Sequence, residues 1–386
     1  MPIHPDALVA FHRELVRIPS LSGQEGEVAS AVAARMRALG YDLVATDEWG
    51  NVVGTIFGGQ AGPTILLDAH MDVVPPGDLA EWQRDPFGAE VEGERIYGRG
   101  ANDDKASLAA IVTMAALLRR EKLAGTVTVS ASVNEEVAEG AALAKVVEAV
   151  RPDFVVIGEG TDLKLGVGQK GRASVLVEAA GVQAHAANPS QGVNAVYKLL
   201  PALERLRTLE APSDPVLGDG LYELIELIST PYPSNSMVPY GCLARYDCRL
   251  VRGESAADLV ARFQAAAGDE VDLSVSVRRG TFPCYTGAQL ELEEFLPAWL
   301  TPADSPLVTA ARRGLQGIGQ SGEDFFAHFC TNGSYTAGVA GIPTIIYGPG
   351  TTEGAHVADE SIAIPDLVAA THGYAAIVDA VLSSNR

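Results

Sequence analysis

The sequence predicts an α/β domain built on a mostly parallel sheet flanked by helices, with a smaller ferredoxin-like domain inserted into it. Three patterns predict this. Short apolar runs alternate with helical stretches over residues 1–172, the mark of βαβ units. From Ala173 to Gly280 the order becomes strand, helix, strand, strand, helix, strand. After Gly280 helix and strand alternate again, so the simplest organisation is a discontinuous domain, 1–172 with 281–386, interrupted by an insert at 173–280.

Each element has its own signal. An amphipathic helix opens the chain, with His12 inside its pattern. Ser22 followed by Glu25 reads as a capping box, and the helix it starts runs to Gly40, a residue suited to a left-handed stop. Apolar runs at Asn51–Phe57, Thr64–Ala69, Thr126–Val133 and Phe154–Ile157 read as strands, and Lys105–Arg120 and Val137–Val150 as helices. Within the insert the strands are Ala173–Ala180, Leu221–Ile228, Cys242–Leu250 and Val271–Val277, with helices Val193–Leu206 and Ser255–Ala266. A helix near Ser305–Gln316, the strand Thr344–Tyr347 and a last helix Pro365–Leu382 complete the pattern.

Composition narrows the function classes. Of 386 residues, 47% are hydrophobic and 20% charged, enough apolar material for a folded core. The net charge of −21 repels phosphate backbones and anionic membranes, so neither nucleic acid nor membrane is expected as a partner. The four cysteines form no CxxC pair and read as reduced packing residues. The N-terminus lacks the apolar core of an export signal, and no apolar run approaches the ~18 residues of a membrane span, so a cytoplasmic location is expected.

Chemistry concentrates at the ends of the predicted strands. The strand TILLDA runs into His70, with Asp72 two residues on and on the same side of an extended segment, placed to fix the tautomer of a metal-bound imidazole or to orient a general base. Asp103 and Asp104 share a glycine-rich turn, where two like charges call for a neutralising cation. After the strand TVTVSASV come Glu135 and Glu136, whose side chains diverge, so one can bind metal while the other faces a bound water. Glu159 follows the strand DFVVIG, and His356 follows TIIYGPG. Taken singly, each has a bland reading as a cap or an exposed turn. Together, His70, Asp103, Glu136, Glu159 and His356 form a nitrogen and oxygen donor set without thiolate, which suits an open catalytic site for zinc, manganese or cobalt.

These motifs resemble the dinuclear-zinc family that includes acetylornithine deacetylase, succinyl-diaminopimelate desuccinylase, glutamate carboxypeptidase and aminoacylase. The resemblance covers nearly the whole chain, in LLDAHMDVVPPGD, YGRGANDDK, NEEVAEGAA, VVIGEG, GVQAHAANPSQGVNA, YDCRLVRGES and GPGTTEGAHVADE, in family order. It implies that His70 and Glu159 hold one ion, Glu136 and His356 the other, and that Asp103 bridges them through a turn with a cis peptide after it. It further implies Glu135 as general base, Asp72 as orienting residue, His185 as a lid histidine reaching the other subunit's site in a homodimer, and Arg249 as the holder of a substrate carboxylate. Departures from the family pattern are Asp104-Lys105-Ala106-Ser107 after Asp103, Ser236 where an asparagine is common, and the segment CTNGSYTAG, where substrate selection would sit.

The expected activity is hydrolysis of an amide in a small N-acyl amino acid or short peptide, as peptidase or deacetylase, with two divalent cations, zinc ahead of cobalt or manganese. A free carboxylate on the substrate is expected because Arg249 and a backbone nest at Asn332, Gly333 and Ser334 suit anions. Two other readings share the architecture: a carbamoyl-amino-acid amidohydrolase, and a catalytically silent scaffold that has kept the fold.

Overall fold

The computed structural model describes residues 4–268 and 273–383. Its main sheet is built around the strand Gln60–His70, which pairs in parallel with Ala124–Ser132 on one side and Phe154–Gly158 on the other. Thr344–Tyr347 continues the parallel set beside Phe154–Gly158. The antiparallel strands Val52–Phe57 and Leu43–Thr46 lie beyond Ala124–Ser132 and finish that side. From Ile65 to His70 every residue is buried, because helices cover both faces of a parallel sheet and leave no polar side to alternate with. Helix Lys105–Met114 is buried along its whole length and packs against the C-terminal helix Ile364–Leu382.

Two predicted helices are broken. The helix expected over Lys105–Arg120 stops at Met114 and continues as 3-10 turns at Ala115–Leu117 and Arg120–Lys122. Carbonyls at its end are spent on the next sheet edge: Arg120 O accepts the Gly59 amide at 2.8 Å and Leu123 O the Gln60 amide at 3.2 Å. The helix expected over Val137–Val150 divides into Glu135–Ala138 and Ala141–Val150. Gly140 sits between them at φ 79°, and its amide is drawn to Asn332 Oδ1 at 2.6 Å. Strands Leu43–Thr46, Leu165–Gln169 and Asp324–Ala327 carry no clear sequence signal. In LGVGQ two glycines dilute the pattern, and Gly166 lies where a side chain would press on Ile346.

A second compact unit comprises Lys170–Gly280 with Leu292–Trp299. Its sheet runs Leu221–Thr230, Gly241–Leu250, Gly171–Ala180, Leu273–Val277, with all neighbours antiparallel. In chain order that is second, third, first, fourth, the ferredoxin-like arrangement. Helices Ala195–Leu206 and Ala256–Ala267 enclose a core of Val175, Val177, Leu199, Tyr246 and Phe263. Asn194 starts the first of them by accepting the Val196 and Tyr197 amides at 2.9 and 3.4 Å. Of the strand expected at Val271–Val277, Val271 lies outside the described residues, and Leu273–Val277 is a strand. Leu221–Thr230 is an outer strand of this sheet, with Leu221, Leu224, Ile225 and Leu227 exposed. Among the described residues no helix is long and apolar enough to cross a membrane.

Candidate metal centre

Four neighbouring parallel strands deliver their acidic and imidazole residues to one edge of the sheet. His70 closes its strand, Glu135 and Glu136 follow Ala124–Ser132, Glu159 follows Phe154–Gly158, and the loop after Thr344–Tyr347 carries His356. This is where open α/β sheets place ligands. Asp103 arrives from the turn that starts helix Lys105–Met114, and its peptide bond to Asp104 is cis.

The side chains converge on Asp103. Its Oδ1 lies 3.1 Å from His70 Nε2 and its Oδ2 3.2 Å from His356 Nε2. Glu159 Oε1 stands 3.9 Å from His70 Nε2, and Glu136 Oε2 stands 3.1 Å from His356 Nε2. Glu135 Oε2 is 4.0 Å from His70 Nε2. Two donor triads result, His70 with Asp103 and Glu136, and His70 with Asp104 and Glu159; within each, the donor atoms lie inside 4.8 Å of one another. Asp104 is an addition to the set read from sequence. It is buried, one oxygen accepts the His70 amide at 3.3 Å, and the other has no hydrogen-bond partner.

So many buried acids are electrostatically incomplete without cations. Burial drives the carboxyls of Glu135, Glu159 and Asp104 well above the ordinary range, reinforced by neighbouring carboxylates. Burial and Asp103 push Glu136 up to about 7. Hydrogen bonds donated to Asp103 and Glu136 raise His356 to about 10. Burial opposes the charged form of both His70 and Asp103, yet hydrogen bonding wins: Asp103 and Asp72 raise the His70 imidazole, and His356 with His70 holds the Asp103 carboxyl well below the usual range. Glu135 Oε1, buried and without a partner, shows the same deficit. A divalent cation supplies the positive charge that these carboxylates and neutral imidazoles are arranged to meet.

An outer set of carboxylates grips the backbone of the acidic residues. Asp72 accepts the Glu135 amide on Oδ1 at 3.0 Å and the Glu136 amide on Oδ2 at 3.1 Å. Its carbonyl, rather than its carboxylate, makes the closer contact with His70 Nδ1, 2.9 Å against 3.5 Å. Asp72 therefore orients His70 mainly through its main chain, while its carboxylate fixes the glutamate turn. Glu360 Oε1 accepts the amides of Asn102 and Asp103 at 2.8 and 2.9 Å, and its other oxygen pairs with buried Arg99 at 2.5 Å. Asn102 in turn clasps Thr351 through both its amide and its carbonyl, in space that a side chain at Gly350 would fill. Sequence reading missed Glu360 and Asn102, although both stand within the motifs quoted above.

The remaining candidates behave differently. His185 belongs to the second unit, is exposed, and accepts the Ala187 amide on Nδ1 at 3.0 Å, which leaves the proton on Nε2. The Ser236 carbonyl steadies this loop by accepting the Ala186 amide. Arg249, also in the second unit, pairs with Asp247 at 3.0 Å. Two donors of the expected nest are engaged by Thr331: Gly333 N bonds its Oγ1 at 2.9 Å and Ser334 N its O at 3.0 Å. Asn332 is buried and braces Gly140, Asp68 and Ser132, while Ser334 accepts from Gln169. The side chains of Asn332 and Ser334 thus act as internal braces, and Thr331 takes up the Gly333 and Ser334 amides.

Comparison with known proteins adds four likenesses. Residues 66–380 match the model of Peptidase family M20/M25/M40. The chain is 32% identical over 378 residues to the uncharacterized protein YgeY of Escherichia coli K12, covering 96% of this chain and 93% of that one. It is 30% identical over 314 residues to succinyl-diaminopimelate desuccinylase of Cereibacter sphaeroides, covering 76% and 81%. Among solved structures, the YXEP protein of Bacillus subtilis, a dinuclear metal binding peptidase, superimposes with a TM-score of 0.70 at 17% identity over 99% of both chains.

Proposed function

Because the chain belongs to peptidase family M20/M25/M40 and is thereby a metal-dependent hydrolase, we propose that it cleaves the amide bond of a small N-acyl amino acid or short peptide with a free carboxylate. The observation that carries this reading is Asp103, whose two oxygens each face a different histidine. On this reading Asp103 would bridge two ions, with His70 and Glu159 as further holders of one and Glu136 and His356 of the other. The mixed donor set fits two divalent cations, zinc first, with cobalt or manganese as alternatives; when bound, they polarise the scissile carbonyl and acidify the attacking water.

The protein's own groups carry the protons. Glu135, a buried carboxylate 4.0 Å from His70 Nε2, takes a proton from water and returns it to the leaving amine. Asp72 keeps that carboxylate on station through two main-chain hydrogen bonds. His185, with its proton on Nε2, donates to the developing oxyanion from the partner subunit of a homodimer, and Arg249 holds the substrate carboxylate. The second unit, read as lid and dimerisation domain, supports this with an outer strand whose exposed leucines and isoleucine suit pairing with a second copy. The four cysteines, which fall in no CxxC pair, agree with a cytoplasmic setting.

The decisive experiment is a panel of N-acyl amino acids, N-carbamoyl amino acids and dipeptides assayed before and after chelation. Hydrolysis of an acyl or dipeptide substrate, lost on chelation and restored by zinc, cobalt or manganese, is expected. Chelator-resistant turnover would refute the metal role, and turnover of carbamoyl compounds alone would move the substrate class.

A further inference from the structure

The pair that the sequence marks as a capping box does not cap its helix. Helix Gly26–Ala38 begins without any side-chain cap. Ser22 Oγ instead donates to Asp72 Oδ2 at 2.7 Å, the same oxygen that accepts the Glu136 amide. Glu25 accepts the Gly23 amide at 3.0 Å and the Asn134 amide at 3.1 Å on one oxygen, 109 residues away along the chain in the latter case. Both residues of the signature thus reach the turn that carries Glu135.

We propose that Ser22 and Glu25 are positioning residues for Glu135, acting through Asp72 and Asn134; the inference rests on the reading of Glu135 as the proton carrier. Asn134 takes left-handed φ 56°, a conformation that needs external support in a residue with a side chain, and its amide is what Glu25 holds. The turn is then gripped at three successive amides: Asn134 by Glu25, Glu135 and Glu136 by Asp72. Ser22 fixes the orientation of Asp72 by donating to its Oδ2. Glu25 is fully buried and its second oxygen has no hydrogen-bond partner. A helix cap needs no such burial, since a cap exposed at a helix start does the same task with water at its back. Proton transfer, by contrast, loses rate steeply when the base moves by a fraction of an ångström.

The test uses Ser22→Ala, Glu25→Ala and Glu25→Gln in the full metal-loaded protein, with Glu135→Gln alongside, on the best-cleaved compound of the panel. Outer partners of this kind are worth roughly 10–100-fold in activity. We expect kcat to fall at least about 10-fold in Ser22→Ala and Glu25→Ala, with KM and metal content unchanged, and to recover largely in Glu25→Gln, which keeps the accepting oxygen. If Glu25→Ala fails to fold, Ser22→Ala, a partly exposed residue, decides. Values of kcat within twofold of wild type, or a loss of metal that accounts for the loss of rate, overturn the proposal. An active Glu135→Gln would sink the underlying reading of Glu135; an inactive Glu135→Gln beside normal Ser22 and Glu25 variants would sink this inference alone.

Discussion

Glu360 accepts the amide of Asp103 at 2.9 Å, although it stands on the loop that carries His356 and is 257 residues away in the chain. One carboxylate therefore joins the two loops from which the candidate bridge and the most exposed candidate ligand arise. Removing it by Glu360→Ala should loosen both. Metal analysis after dialysis in metal-free buffer is expected to show fewer ions per chain than wild type, with activity lower by about 10–100-fold. Unchanged metal content and rate would mean that Arg99 and Asn102 hold the loop without it.

The adjacent glutamates should separate cleanly. Glu135→Gln is expected to keep its metal and its fold yet lose most turnover, whereas Glu136→Ala should lose metal. Metal content and kcat measured on the same preparations check this, and equal metal loss in the two variants would reject the division of roles.

Asp103 faces both histidines, so Asp103→Ala should reduce binding at both positions and abolish activity. Wild type purified without chelator is expected to carry up to two ions per chain. Full metal and full activity in the variant would exclude a bridging role.

His12 gives a pH prediction away from the donors. Burial lowers it from 6.5 to about 4, Nε2 reaches the Ala101 carbonyl at 2.9 Å, and Nδ1 has no partner. Between pH 6.5 and 4 the unfolded chain binds a proton that the folded chain refuses. Stability must therefore fall as pH falls through this window, by about 3 kcal/mol for the full shift. Denaturant titrations at pH 7 and pH 4.5 should show a smaller difference for His12→Gln than for wild type; identical differences would refute the buried neutral imidazole.

If His185 acts across a homodimer, inactive His185→Ala and inactive Glu135→Gln chains should complement when subunits exchange. Heterodimers are expected to regain about one working site of two. Confirmed exchange without returning activity would place His185 outside the partner's site.

The sheet and its edge were legible because buried parallel strands are nearly pure apolar runs, and residues such as His70, Glu136 and Glu159 interrupt those runs at their ends. The ferredoxin-like order was legible from element sequence alone. What escaped was whatever depends on distant backbone. The break at Gly140 is made by Asn332, 192 residues on. Glu360 works on amides, which leave no side-chain pattern to read. Ser22 and Glu25 carried a genuine local signature, but a partner 109 residues away claimed the glutamate. A small-residue turn such as Asn332–Ser334 does not by itself tell which amides stay open: Thr331 takes those of Gly333 and Ser334.

The crowding of acids at one sheet edge also ties the stability of the fold to cation. Burial disfavours the charged forms of Glu135 and Glu159, so ionising them inside the fold is costly unless a bound cation offsets their charge. Each tenfold excess of free cation over its dissociation constant adds about 1.4 kcal/mol to the folded state for every ion bound only there. Metal-loaded protein is therefore expected to resist unfolding better than metal-free protein, so that chelation should lower the denaturant midpoint as well as the turnover.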